Sequence, residues 1–199
     1  MDTVGTVLKD FVDYIKTQKN YNNEHIISQP LNLNKTTENE IEKTEKKLSC
    51  TIPYELRYYY LNEMNGTEVD EKEYPVYEEK LDIFSHQKIM GIYDYFKYYW
   101  EDIQEIDIEE ILEHLSEEEI LFIENNNREY FVFIADWRNN FIETFVFDKK
   151  ENYYNFYFDQ DVTIDIYINK MINSSNSIKK DKSLVKLLKK YLEKKKEEI

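Results

Sequence analysis

The chain is short of the residues on which most site chemistry depends. It has one cysteine, three glycines, three prolines and three histidines in 199 residues. With Cys50 alone, no intrachain disulfide forms. Cys50 stands without a Cys-His signature, and no G-x-S-x-G is present, so it reads as a small packed residue rather than an activated nucleophile. Glycines at positions 5, 66 and 91 are too few and too far apart for G-x-G-x-x-G or G-x-x-x-x-G-K, which excludes the phosphate-cradling loops built on them. His25, His86 and His114 are widely separated and belong to no metal-ligand spacing, so each is expected on the surface or in packing, and no metal or cofactor is expected. Only Arg57, Arg128 and Arg138 carry a guanidinium, a poor set for phosphate or nucleic-acid recognition. No apolar run of about 18 residues exists, so no membrane-spanning helix is expected. Asp2, Lys9, Asp10 and Asp13 interrupt any secretory pattern at the N-terminus, and the chain reads as cytoplasmic. These absences point away from an enzyme.

Acid is present in excess. The net charge is −15. Residues 171–199 hold nine lysines and four acids, a net +5, which leaves 17 basic and 37 acidic residues in 1–170, a net −20. Such a body repels nucleic-acid phosphates and attracts basic partners. The 18 tyrosines and 11 phenylalanines supply a core. A chain of this length buries ~70% of its unfolded surface. The tyrosine content alone says little about interfaces, because an AT-rich genome enriches Tyr, Asn, Ile and Lys together.

Hydrophobic spacing organises the chain. Val4, Val7, Leu8, Phe11, Val12 and Ile15 predict an amphipathic helix over 3–18, and the Asn-rich stretch 19–36 reads as a loop or linker. Thr37 and Glu40 are spaced as a capping box, opening a helix to about 48 that puts Ile41 and Leu48 on one face. A second helix follows, with Pro53 at its first position, Leu56, Tyr60 and Met64 at helical spacing, and Gly66 in the left-handed conformation that ends it. A strand is expected within 74–84, and an acidic helical pattern from 92 to 114. Residues 116–123 fit either a capped helix or a strand. Tyr130–Ala135, Phe141–Phe147 and Tyr153–Phe158 predict an antiparallel meander whose first strand is covered on both faces. Asn173–Ser177 reads as a polar linker. Lys182–Ile199 reads as a basic amphipathic helix with Leu184, Leu188, Tyr191 and Leu192 along one side, docked on the acidic body or meeting a partner or membrane surface.

Three of these segments together resemble the SUKH superfamily. Ile41, Glu42, Glu45 and Leu48 match its I-E-x-x-E-x-x-L helix. Ile52-Pro53 stands where the superfamily has Leu-Pro, and the next short helix runs to Asn65-Gly66. Phe131 to Asp148 is similar to its central hairpin. The similarity covers roughly 37–172, with 1–36 as an added N-terminal helix and linker and 173–199 as a linker and basic helix. It implies an α+β domain, a mainly antiparallel sheet flanked by helices. In 161–172 the alternation of Val162, Ile164, Ile166 and Ile168 favours a strand, whereas the resemblance implies a closing helix with Ile164, Ile168 and Met171 inward; the reading follows the helix.

The resemblance also implies a function, that of a bacterial immunity protein neutralising a toxin by binding it, with a regulatory or scaffold interaction module as the alternative. A basic nuclease or other toxin domain would suit so acidic a chain. The partner-binding candidates are Glu101, Asp102, Glu105, Asp107, Glu109 and Glu110 on the acidic helical stretch, and Asp136, Trp137 and Arg138 at the tip of the hairpin, where Trp137-Arg138 replaces the small residues common in the superfamily.

Overall fold

The computed structural model describes residues 2–19, 23, 25–28, 30–67, 80–98, 113, 116–138, 141–159 and 179–197. The expected closing helix at 161–172, the linker at 173–177 and the acidic run 101–112 lie outside the described residues.

Helices form where the local signals put them. α1 (Val4–Thr17) is capped by Thr3, whose side chain accepts from the Thr6 N–H while Thr6 returns the bond, and it buries the whole stripe Val4, Val7, Leu8, Phe11, Val12 and Ile15. α2 (Glu38–Leu48) opens with the Thr37–Glu40 box: the Thr37 N–H donates to Glu40 Oε2 at 2.9 Å and the Glu40 N–H to Thr37 Oγ1 at 3.4 Å. α3 (Tyr54–Asn62) has Pro53 at its N-cap rather than at its first helical residue, with φ −57° and ψ 150°. A proline fits there as well, because its missing N–H is not needed and its fixed φ suits the entry. A 3₁₀ turn (His86–Lys88) precedes α4 (Ile92–Tyr98). α5 (Glu117–Asn127) decides the open choice at 116–123 in favour of helix. The last described helix is α6 (Leu184–Glu197).

Among the described residues seven strands join in one sheet: β1 (Ile27–Ser28), β2 (Lys80–Ile83), β3 (Met90–Gly91), β4 (Tyr130–Arg138), β5 (Phe141–Asp148), β6 (Tyr153–Asp159) and β7 (Lys179–Asp181). Their order is β1-β2-β4-β5-β6-β7, with β3 also against β4. Every described pairing is antiparallel except β1 with β2. The fold is therefore the expected α+β class, and the expected meander is β4-β5-β6. β1 lies inside the stretch read as linker, and its neighbour Ile26 is 4% exposed, so this part of 19–36 is packed.

A β-bulge at Phe133 sets what β4 presents. Val132 pairs with Val146 and Ile134 with Phe145, so Phe133 is an extra residue. Phe131, Phe133 and Ile134 all join the core cluster with α1, α3 and α6, whereas the equally buried Val132 and Ala135 do not. The strand is re-phased after the bulge, and Asp136 falls on the same face as Ile134. On that face Tyr191 of α6 meets Phe11 of α1 and Phe145 of β5 edge-on, with ring centroids 5.3 and 5.0 Å apart. α4 and α5 lie against β4. The basic helix α6 is thus part of the domain core, with Leu184, Leu187, Leu188, Tyr191 and Leu192 buried.

Candidate functional site

Helix α3 and the turn after it tie the domain together. Leu56 and Tyr60 are buried, and the Tyr60 hydroxyl donates to the Phe84 carbonyl at 2.9 Å. Gly66 has the expected left-handed backbone, φ +76°, but it does not end α3: the helix stops at Asn62 with Glu63 as its C-cap, and Gly66, four residues beyond Asn62, donates its N–H to the Tyr59 hydroxyl at 3.2 Å. Asn65 Oδ1 accepts from the His86 N–H at 3.1 Å and lies 2.9 Å from His86 Nδ1. On the entry side, Glu45 Oε1 accepts from the Ile52 N–H at 2.9 Å and from Arg57 Nη1 at 2.7 Å, and Arg57 Nη2 also bonds Glu38. Ile41 is fully buried and Leu48 packs on the core edge. The residues that define the sequence signature, Ile41, Glu45, Leu48, Pro53, Leu56, Tyr60, Asn65 and Gly66, are therefore gathered around one helix with structural roles.

Two carboxylates of this region cap helices that are remote in sequence. Glu55 accepts from the Ser183 hydroxyl at 2.8 Å, from the Leu184 N–H and from the Val185 N–H at 3.3 Å, so it covers the positive N-terminus of α6. Glu63, at the C-cap of α3, accepts from the Gly5 N–H at 2.8 Å in the first turn of α1. Neither role was visible in the sequence, because the partners lie 128 and 58 residues away. Glu55→Ala should destabilise the protein by about 1–2 kcal/mol, read from urea denaturation. Glu55→Gln, which keeps an acceptor but loses the charge, should fall between the two. Equal stability of all three would show that α6 needs no cap from α3.

The sheet face under α6 holds a buried polar pair. Asp136 and Glu143 are cross-strand partners, 0% and 3% exposed. The Tyr191 hydroxyl donates to Asp136 Oδ2 at 2.8 Å, and Lys195 Nζ sits 3.5 Å from Glu143 Oε1. Burial first, then the two carboxylates, holds the Tyr191 phenol well above its ordinary pKa, so it stays a donor. Asp136 is thus a buried acceptor and not a surface contact: β4 runs on to Arg138, so Asp136 lies within the strand, and the bulge at Phe133 puts it on the face under α6. Trp137 and Arg138 are the last residues of β4, in register with Ile142 and Phe141, so they belong to the strand rather than to a turn. Glu101, Asp102, Glu105, Asp107, Glu109 and Glu110 lie outside the described residues.

Reactive groups in the described residues are committed elsewhere. Cys50 is buried, and desolvation raises its thiol pKa to about 11, which keeps it protonated. Among the described residues no group of three or more His, Cys, Asp and Glu is placed to hold a metal ion. His86 is 2% exposed, and burial lowers its pKa below 6.5 against the opposing pull of Glu40. A histidine held neutral in the fold and charged more readily when unfolded contributes stability that is present above its unfolded pKa and lost as pH falls through the range below it. The stability advantage of the wild type over His86→Gln should therefore be larger at pH 7.5 than at pH 5.5. An advantage that grows on acidification would mean that the ring is charged in the fold.

The outward side of α3 is aromatic. Tyr54 is 74% exposed and Tyr58 42%, one turn apart, with ring centroids separated by 6.3 Å. Their number in the sequence concealed them: only the fold distinguishes them from Tyr59 and Tyr60, which are fully buried.

A family model described as the SMI1 / KNR4 family (SUKH-1) matches residues 35–176, more than two thirds of the chain. Neither a curated protein nor a solved structure matches it. α1 and α6 lie outside the matched interval, yet both contribute to the same core cluster. Among the described residues no helix is long and apolar enough to cross a membrane.

Proposed function

Because this chain belongs to the SMI1 / KNR4 family (SUKH-1), whose domains are generally associated with immunity proteins and are typically non-enzymatic, we propose that it binds a cognate toxin and neutralises it by stoichiometric occlusion. The observation that carries this reading is the family match combined with a net charge of −15. A toxin that acts on nucleic acid carries a basic groove, and an acidic protein reaches such a groove quickly because opposite charges steer the encounter. The same charge disfavours nucleic acid itself as a partner.

The proposed toxin-facing residues are Glu101, Asp102, Glu105, Asp107, Glu109 and Glu110, with Trp137 and Arg138 as a second contact. Residues 37–172 are taken as the family unit, acting in the cytoplasm without a cofactor. The alternative, a regulatory interaction module, shares the fold and the lack of catalysis. The two are separated by the gene beside this one and by co-expression. A toxin domain encoded next to the chain should arrest growth alone, and the chain should restore growth and co-purify with it. A neighbouring toxin that the chain neither binds nor relieves would remove the immunity reading.

A further inference from the structure

The exposed side of α3 has a composition that selects its occupant. Tyr54 and Tyr58 present two rings to solvent one helical turn apart. Arg57, three residues after Tyr54, is drawn down onto α2, where it is shared between Glu38 and Glu45. Glu38 keeps 62% of its side chain exposed, so the one guanidinium of this surface is outnumbered by two carboxylates. α3 carries no other cation, and its remaining charged residue, Glu55, is acidic. Tyrosine is an indifferent helix former, and the exposed rings at 54 and 58 add nothing to the core.

We infer that Tyr54 and Tyr58 are the anchor on which arginine or lysine side chains of a basic protein partner dock. A tyrosine face attracts a cation through its quadrupole, and the net charge of −15 favours a cationic partner. Two tyrosines one turn apart supply rigid, amphipathic contact area at small entropic cost, as interface hot spots do. A second copy of this chain is disfavoured, since each copy carries −15. An anionic membrane or nucleic acid is disfavoured by the same sign. The anchor rests on the immunity reading only for the source of the cations. It complements the acidic stretch 101–110, because steering acts over a distance while anchoring needs contact.

The test uses the full chain with tyrosine rings isotopically labelled and a hexa-arginine peptide as probe, at physiological salt. The Tyr54 and Tyr58 ring signals should shift saturably on titration, and the Tyr54→Ser/Tyr58→Ser double variant should bind the peptide about tenfold more weakly. Both side chains are exposed, so the variant should keep the wild-type circular dichroism. Absence of peptide binding, unmoved Tyr54 and Tyr58 signals, or undiminished affinity in the double variant would overturn the anchor. The two readings fail separately. A double variant that neutralises the toxin as well as the wild type removes the anchor and leaves immunity standing. A wild type that neutralises no toxin removes immunity, whatever the peptide does.

Discussion

Gly66→Val should destabilise the protein by about 3 kcal/mol or more, the largest stability effect expected of any single substitution in the signature. Two costs combine at this position. Its φ of +76° lies in the left-handed region, where a β-branched residue is strained. A Cβ built there would also meet backbone: the Ile83 carbonyl oxygen at 2.5 Å, the Phe84 carbonyl carbon at 2.6 Å and the Ser85 nitrogen at 2.6 Å. The obstacle is main chain at the end of β2, so no side chain can swing aside. Gly66→Asn separates the costs, because asparagine tolerates the backbone conformation but still carries the Cβ. Asn should remain clearly destabilising. A loss below about 1 kcal/mol for valine, the size expected of an ordinary surface change, would mean that the α3 exit does not press on β2.

Reversing Glu105, Glu109 and Glu110 to lysine should slow association with a basic toxin by about tenfold or more at low ionic strength. Each reversal removes an attractive charge and adds a repulsive one. The effect should shrink as salt is raised, because the screening length falls from about 30 Å at 0.01 M to 8 Å at 0.15 M. Dissociation should change less, since steering acts before contact. Stopped-flow association rates across a salt series report both. A rate unaltered at low salt would place the interface elsewhere, and the Tyr54–Tyr58 face of α3 is then the surface to test next.

The sequence revealed what short-range patterns encode. The α1 stripe, the Thr37–Glu40 box, the helix after Pro53 and the β4-β5-β6 meander each follow from residues close together in the chain, and each is present, although α3 stops at Asn62 instead of running to Gly66. Strands of two or three residues were missed, because β1, β3 and β7 are too short to show alternation and exist through their partners. Asp136 was misplaced for a related reason. The polar run that begins at Asp136 reads as a turn, but β4 continues through it to Arg138, and nothing in the almost uniformly apolar stretch Tyr130 to Ala135 marks the extra residue at Phe133 that decides which face Asp136 joins. The caps supplied by Glu55 and Glu63 were hidden by sequence separation. Exposed Tyr54 and buried Tyr60 are chemically the same residue, so composition could not separate an anchor from the core.

The central claim is neutralisation by binding, and a titration tests it most directly. Toxin activity measured at a fixed toxin concentration well above the Kd should fall linearly as the protein is added and vanish at a fixed ratio near one to one. Residual activity should equal the unbound toxin fraction at every point. Protection of a large excess of toxin by a trace of the protein, continuing with time, would contradict the account and return the acidic residues to consideration as catalytic groups.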